Sequence, residues 1–247
     1  SSGFAAFRER TLASLGALFQ AAFVARHSDG AVDTKFLADN YEVDSKALHL
    51  VLQALGLVGG RAVITGHLTE PHQNVGQKAA ISAWRLPDVK DLSVVSNALD
   101  QSLNIPGEAP PHSILVHPHP EHWVAAGWQS PIGGKLEIAA HVQGRHGCGN
   151  GTKWVIQHQR GDQLRVLREG VISALQKANI KPIAEARIEV GDVVSLLIDA
   201  RDGNHACDLT EIDLVMTESS GDVPRRWSLR EDCADSLFAR NPHHDSH

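Results

Sequence analysis

The sequence has no long hydrophobic run. No stretch approaches the roughly 18 consecutive apolar residues of a transmembrane helix, and the first residues do not show the charged-then-apolar pattern of a signal peptide. We therefore expect no membrane-spanning segment. The chain also begins Ser1-Ser2-Gly3, without an initiator methionine, so we expect it to be a piece of a longer protein that carries any targeting signal elsewhere.

Several motifs of enzymes and cofactor proteins are missing as well. The sequence contains no Gly-x-Ser-x-Gly elbow and no His-Glu-x-x-His helix, which mark common hydrolase classes. It contains no Cys-x-x-Cys-His, so we expect no covalent haem in this chain. The formal net charge of -6 gives no reason to expect a nucleic-acid partner, because phosphate binding needs a basic surface. We therefore expect a non-catalytic module, with any catalysis in other domains of the parent protein.

The first part of the chain has the apolar spacing of amphipathic helices. Apolar residues recur at helical spacing over residues 4–27. A second helix is predicted to begin at Asp33 or Thr34 and a third at Asp44 or Ser45, because these side chains cap helices well. The pattern predicts a small helical subdomain.

After Leu92 the hydrophobic period changes to two, which is the spacing of a half-buried strand. Alternating segments include residues 136–142, 154–158 and 210–216, and turn signals such as Gly161-Asp162 separate them. Short strands without interleaved long helices predict a mainly β fold, an antiparallel jelly roll or β-sandwich. We divide the chain into a helical subdomain (1–60), a linker or loop (61–91), the β-sandwich module (92–218) and a C-terminal strand with a His-rich tail (219–247).

Short segments spread over the whole chain resemble one known module. They are Arg8-Glu9-Arg10-Thr11-Leu12, Ser93-Val94-Val95-Ser96-Asn97, Ile105-Pro106-Gly107, Pro111-His112-Ser113-Ile114-Leu115-Val116-His117-Pro118, Trp128-Gln129-Ser130-Pro131, Cys148-Gly149-Asn150-Gly151, Arg201-Asp202-Gly203-Asn204-His205-Ala206-Cys207-Asp208 and Asn241-Pro242-His243. The chain resembles the insert of large planctomycete proteins that carry planctomycete-type cytochrome c domains. In that setting the insert looks like a carbohydrate-binding jelly roll.

This resemblance implies a role and a location. It implies a polysaccharide-binding module within an exported protein, periplasmic or extracellular, whose further partners are the other domains of the parent protein. Two other roles stay open. One is a structural docking module for neighbouring redox (haem) domains, and the other is a metal-dependent enzyme domain.

Two loops each place a histidine two residues before a cysteine, among glycines and oxygen-bearing side chains. They are His146-Gly147-Cys148 and His205-Ala206-Cys207. In an exported protein a disulfide between Cys148 and Cys207 would close a long loop and stabilise the fold. We expect this bridge, with Cys233 keeping its thiol. The alternative is a tetrahedral zinc site made by the same two histidines and two cysteines.

The second of these loops is also rich in oxygen ligands. Asp202, Asn204 and Asp208 follow a predicted strand, and hard cations are bound by carboxylates together with loop carbonyls. The resemblance supports a structural calcium, because jelly-roll binding modules often hold one near a strand end. We therefore take these three residues as candidate calcium ligands. The alternative is an acidic turn whose side chains cap their own backbone.

Histidines crowd another segment of the chain. His117, His119 and His122 lie within six residues, next to Trp123. We expect these four residues to form the ligand-binding site, because sugar rings stack on flat aromatic side chains while polar groups at the rim orient them. A haem or transition-metal site is one alternative. Solvated histidines in a proline-containing loop are the other.

The tryptophans are predicted to serve either in the ligand-binding site or in the core. Trp123 and Trp128 are separated by five positions, so a regular strand would place them on opposite faces. Trp154 lies in phase with Ile156 and is expected in the core. At most one of Trp123 and Trp128 then faces the core, and we choose Trp123 as the exposed platform because it lies beside His122 and the histidine- and proline-containing loop.

Overall fold

The computed structural model describes residues 2–27, 33–55, 57–58, 62, 64–75, 78, 80–89, 91–218 and 224–238. Within these ranges the protein is mainly β, with antiparallel sheets and a few helices at the N-terminus. The predicted fold class, an antiparallel β-sandwich preceded by a small helical subdomain, is confirmed.

Three helices form the N-terminal subdomain: α1 (Ser2–His27), α2 (Thr34–Asn40) and α3 (Ser45–Ala54). The Asp33 side chain accepts a hydrogen bond from the Phe36 N–H at 2.9 Å, and Asp44 accepts one from the Ala47 N–H at 2.8 Å. Each aspartate therefore satisfies a backbone donor that the first helical turn leaves without a partner. The helices share a small apolar core of Ala21, Ala22, Ala25, Leu37, Ala38, Leu48, Leu52 and Val58.

The strands of the described residues are β1 (Glu70–Gln73), β2 (Ile81–Arg85), β3 (Ser93–Asn97), β4 (Leu103–Ile105), β5 (Gly107–Ala109), β6 (Ser113–His117), β7 (Val124–Gln129), β8 (Gly134–Gly144), β9 (Thr152–Arg160), β10 (Gln163–Ile172), β11 (Lys177–Ile188), β12 (Val193–Ala200), β13 (Thr210–Glu218) and β14 (Arg226–Ser228). One short helix, α4 (Leu229–Cys233), follows β14.

The strands form two main sheets that pack face to face. The larger sheet has the order β1-β2-β3-β6-β13-β8-β11, with β14 paired to β13, and the smaller sheet has the order β10-β9-β12-β7. Strands β4 and β5 pair separately. Alternate side chains of both sheets meet in one core, for example Ile138 and Ile212 from the larger sheet and Ile156 and Leu196 from the smaller one. This alternation is the period-two pattern of the sequence.

The region 61–91 differs from the expected linker. Strands β1 and β2 lie there and extend the larger sheet, with Ile81 of β2 opposite Asn97 of β3. Trp84 of β2 is buried and packs edge-on against the Phe238 ring at 5.2 Å. Strands β1 and β2 have only four and five residues and are separated by glycine and glutamine, so they carry little periodic signal. The expected C-terminal strand corresponds to β14, whereas the His-rich tail lies outside the described residues.

The helical subdomain contacts one end of the sandwich. The Gln163 side chain donates to the Gln53 carbonyl at 3.2 Å, Arg187 donates to the Ala25 carbonyl at 2.8 Å, and the Ala62 N–H donates to the Gly191 carbonyl. These contacts lie at the Arg160 end of β9. The opposite end of the sandwich, where β9 begins at Thr152, carries the loops described below.

A buried ion pair holds this helical end together. Asp192 is 1% exposed and accepts hydrogen bonds from His158 at 2.7 Å and from Arg160, which is itself buried. Burial on its own would raise the pKa of Asp192, but the hydrogen bonds from His158, Arg160 and the Glu189 N–H, with the charge of Arg160, lower the pKa overall. Asp192 is therefore ionised at neutral pH.

Asp192→Ala should lower the free energy of unfolding by about 3–5 kcal/mol, because it leaves the Arg160 charge buried without its carboxylate. Chemical denaturation at pH 7 measures this difference. Asp162→Ala, in the exposed turn between β9 and β10, is the matched control and should change stability by no more than about 0.5 kcal/mol. Equal effects of the two substitutions would contradict the assigned role of Asp192.

Candidate functional site

Three loops meet at the end of the sandwich opposite the helices. They are the loop between β6 and β7, the loop between β8 and β9, and the loop between β12 and β13. The last two are joined by hydrogen bonds from the Asn150 side chain to the Arg201 carbonyl at 2.8 Å and from Arg201 to the Asn150 carbonyl at 3.3 Å. We refer to this region as the loop end.

A disulfide joins two of these loops. Cys148 and Cys207 are bonded, with their Cα atoms 5.5 Å apart and a sequence separation of 59. The expected disulfide is therefore present in the structure, and Cys233 lies outside it. The zinc alternative needs correction, because sulfur atoms bonded to each other are not thiolate ligands. His146 remains beside the bridge, with its Nδ1 2.8 Å from the Cys148 sulfur.

Two glycines allow the loops to approach this closely. Gly149 and Gly151 have φ of +85° and +87°, in the left-handed region that favours glycine. A Cβ on Gly149 would collide with the Ala206 carbonyl, and a Cβ on Gly151 would collide with the Ile172 carbonyl. The Cys148-Gly149-Asn150-Gly151 sequence therefore suits a tight turn against the neighbouring backbone.

The histidines of the first loop form a cluster with His205. The ring centroids of His117 and His205 are 5.8 Å apart, those of His119 and His205 are 5.8 Å apart, and those of His119 and His122 are 5.4 Å apart. The backbone closes the turn, because His119 and His122 exchange N–H to carbonyl hydrogen bonds at 3.0 and 3.1 Å. The predicted residues His117, His119 and His122 are thus close together, and His205 joins them from another loop.

His117 is a half-buried member of this cluster. Its Nδ1 lies 2.9 Å from the Pro118 carbonyl, to which it donates. Burial lowers the pKa of His117. The hydrogen bond to Pro118 and the charge of Asp91 oppose this, His205 and His146 add to it, and the pKa is lowered overall. The ring is therefore neutral at pH 7.

The tryptophans lie as the sequence predicts. Trp123 is 43% exposed, just before β7, with the Lys153 ammonium 5.9 Å from its ring centroid. Trp128 points the other way, packing on the core and lying 5.1 Å from the Trp227 ring. Trp154 is buried in the core. An aromatic side chain is therefore open to solvent beside the histidine cluster.

The outer face of the smaller sheet continues from Trp123. The register places Gly127 of β7, Ser195 of β12 and Gln157 of β9 side by side on this face. A Cβ on Gly127 would lie only 3.1 Å from the Ser195 hydroxyl oxygen. Glycine therefore avoids crowding here, and no side chain projects from the sheet at this position. Gln129 and Gln159 occupy the next row. Sequence reasoning missed this face, although polar residues alternating with the core positions of β9 are its signal.

The three candidate calcium ligands are in different environments. The Asp202 side chain is 78% exposed and lies 3.5 Å from Arg201. Asn204 accepts a hydrogen bond from the Ala206 N–H at 3.2 Å, as an asparagine that caps its own turn does. Asp208 is 2% exposed, and neither of its carboxylate oxygens has a hydrogen-bond partner among the described residues. Burial raises the pKa of Asp208 to about 7.

Among the described residues, two groups of three or more side chains have converging ligand atoms. One is His146 with the two bridged cysteines, and the other is His119, Glu121 and His122. Neither group includes Asp202 or Asp208. Sequence reasoning did not single out Glu121, although it lies between two of the predicted histidines.

No protein-family model matches the chain, and no curated protein matches it. In the part of the chain that the structure describes, none of the helices has the length and apolar character needed to cross a membrane.

Reduction of the Cys148–Cys207 disulfide should lower the free energy of unfolding by about 4 kcal/mol in the chain-entropy model, because the bridge closes a long loop. Denaturation with and without reductant measures this change. Unfolded, unreduced protein should label at one thiol, Cys233. Labelling of all three cysteines before reduction would contradict the bridge.

Proposed function

We propose that this chain is a non-catalytic, polysaccharide-binding module of an exported planctomycete protein that carries cytochrome c domains. The ligand site comprises Trp123 with His117, His119 and His122 at its rim. The disulfide supports an exported setting, because such bonds persist in oxidising compartments.

The exposure of Trp123 is the observation that carries this proposal. Its ring is open to solvent while Trp128 and Trp154 are packed inward, and an open aromatic ring is the surface on which the C–H face of a sugar stacks. The half-buried Gln157 and Ser195 lie farther along the outer sheet face, beyond the row of Ala125, Leu197 and Val155. Amide and hydroxyl groups in a row suit the many hydroxyl groups of an extended sugar chain.

The open shape of this face favours binding of a chain over enclosure of a small molecule. Gly127 and the exposed Ala125 lie on the face beside Trp123 and project little from it. A long polymer can therefore lie along the strands without entering a closed cavity. This is the arrangement expected of a module that holds a polysaccharide.

Trp123→Ala should weaken binding to a polysaccharide by about 1 kcal/mol or more, because stacked aromatic rings supply much of the affinity in such contacts. An array of immobilised polysaccharides identifies the ligand, and isothermal titration compares wild type with the variant. The variant should keep the wild-type melting temperature, because the ring is exposed. Trp154→Ala should instead cost about 3–5 kcal/mol of stability, as truncation of a core aromatic does.

The remaining outcomes separate the rival roles. If Trp123→Ala destabilised the fold and Trp154→Ala weakened binding instead, the two tryptophans would be assigned to the wrong faces of the sheet. Failure of the wild-type chain to bind any polysaccharide would overturn the proposal and favour a structural docking role for neighbouring haem domains. Leu50→Ala, on the exposed side of α3, controls for loss of an exposed apolar side chain far from the loop end and should leave binding unchanged.

We also propose that the loop end holds a structural calcium through Asp208, with Asp202 and Asn204 as further ligands. The supporting observation is the buried Asp208 carboxylate, which has no hydrogen-bond partner among the described side chains and backbone. An ionised carboxylate in this position is costly unless a cation or donor accompanies it. A calcium ion bound to carboxylate and carbonyl oxygens would meet this need.

Calcium should raise the melting temperature of the wild-type chain at pH 8, where the Asp208 carboxyl is ionised because its pKa is about 7. A ligand at 100 times its dissociation constant stabilises by about 2.7 kcal/mol. Without calcium, stability should fall as pH rises from about 4 to 7, because the folded state holds the Asp208 proton more tightly than the unfolded state. Asp208→Asn should abolish both effects.

Asp202→Asn should reduce the calcium effect, whereas Asp162→Asn, in a turn at the helical end, should leave it unchanged. Calorimetry measures the melting temperatures, and elemental analysis measures bound calcium. No calcium in the purified protein, together with a melting temperature that ignores chelator, would reject the site.

A further inference from the structure

The loop between β6 and β7 places three metal-ligand side chains around one point. The candidate ligand atoms of His119, Glu121 and His122 all lie within 4.8 Å of one another. The distance between neighbouring ligands of a tetrahedral zinc ion is somewhat over 3 Å, given bonds of about 2.0–2.2 Å. Small side-chain rotations are therefore enough for the three groups to share an ion.

The backbone holds these groups in place. The mutual hydrogen bonds of His119 and His122 close the turn, and Pro118 and Pro120 restrict the chain on either side of His119. A loop held in this way loses little conformational freedom when it binds an ion. The site is therefore largely formed before the metal arrives.

A second loop brings another imidazole to the same place. The His205 ring lies 5.8 Å from the His119 ring, and His205 is two residues from Cys207 of the disulfide. The bridge ties this loop to its neighbour and so keeps His205 at the cluster. Four potential ligands, three imidazoles and one carboxylate, thus come from two loops.

We propose that His119, Glu121, His122 and His205 bind one divalent transition-metal ion of the zinc or copper type. Imidazole nitrogen is a preferred ligand of both metals, and a single carboxylate is common beside it. This donor set differs from the all-oxygen set expected for calcium at Asp208. The proposal goes beyond polysaccharide binding and does not depend on it.

One existing contact changes when the metal binds. His119 Nδ1 accepts a hydrogen bond from the Glu121 N–H at 3.2 Å. This bond is given up whichever nitrogen of His119 coordinates, because coordination through Nε2 places the proton on Nδ1. The bond is long and lies at the surface, so its exchange for a metal bond is a small loss.

His117 packs beside the proposed site without being part of its donor set. Its Nδ1 donates to the Pro118 carbonyl, and its ring meets that of His205 nearly edge-on, with the centroids 5.8 Å apart.

The test titrates the full-length chain with Zn²⁺ alone and with Cu²⁺ alone, in the absence of polysaccharide. Three tail histidines, His243, His244 and His247, would compete for the same ions, so they are replaced by alanine in every version compared. Isothermal titration gives stoichiometry and affinity. Electron paramagnetic resonance of the Cu²⁺ form reports nitrogen ligands directly. The chain that lacks only the three tail histidines serves as the background. It should bind one ion, and its Cu²⁺ form should show nitrogen ligands.

His122→Ala and His205→Ala should each lower the affinity by more than about 100-fold, because each removes a coordinating nitrogen and so costs more than the 10- to 100-fold loss caused by removing an outer partner. Glu121→Gln keeps the shape of an exposed side chain and removes its charge, so a loss of affinity there is not a failure to fold. His49→Ala, in the exposed part of α3, is the matched control and should bind as the background does.

An affinity equal to that of the background in all three site variants would overturn the site. So would a copper signal without nitrogen ligands. Because no sugar is present, these outcomes are independent of the polysaccharide test. Polysaccharide binding that fails while one metal ion binds would remove the proposed function and leave this site standing.

Discussion

The burial of apolar side chains between the two sheets is the constraint on which the remaining structure depends. Along β9, Trp154 and Ile156 face inward, so Lys153, Val155 and Gln157 face outward. The outer surface of the smaller sheet is therefore decided by the core as much as by its own residues. This face carries polar side chains together with the buried Val155, and one aromatic lies at its edge.

The disulfide joins two of the three loops at this end. Each of the three loops crosses from one sheet to the other, and connecting loops are more mobile than the strands that they join. Cys148 and Cys207 join the loops that precede β9 and β13, and His205 and Asp208 flank the second cysteine. The calcium proposed at Asp208 and the His205 ligand of the transition-metal site therefore depend on one covalent bond, whereas His119, Glu121 and His122 are held by their own turn. Asp208 lies in the interior, whereas Glu121 and His122 lie at the surface.

Local patterns predicted most of this architecture. The helix caps at Asp33 and Asp44 and the period-two strands have short-range signals, because each depends on neighbours in sequence. The strand β2 was missed because its five residues are too few to show a period amid a composition typical of loops. The outer sheet face was missed for another reason. Which strands adjoin is a long-range property, and Gln157 and Gly127 become neighbours only through the order β9-β12-β7.

The residues of the candidate site also fall into two groups: those predicted from local sequence and those that needed the tertiary structure. Trp123 could be chosen from its position beside His122 and the proline-containing loop, and His117, His119 and His122 from their closeness in sequence. The membership of His205 required tertiary structure, since it arrives from a loop far along the chain. The burial of Asp208 had no local signal either, because acidic residues in a glycine-containing turn are usually solvated.

The helices lie at one end of the sandwich and the loop end lies at the other, so the module has two different ends. Strand β9 runs the whole way between the two ends, and the eight steps between its nine residues, at about 3.3 Å each, span roughly 26 Å. The strand is stiff over that length because it is hydrogen-bonded to β10 on one side and to β12 on the other. A ligand bound at the loop end is therefore held at a fixed distance from the helices. The sandwich acts as a rigid spacer and does not bend to shorten that distance.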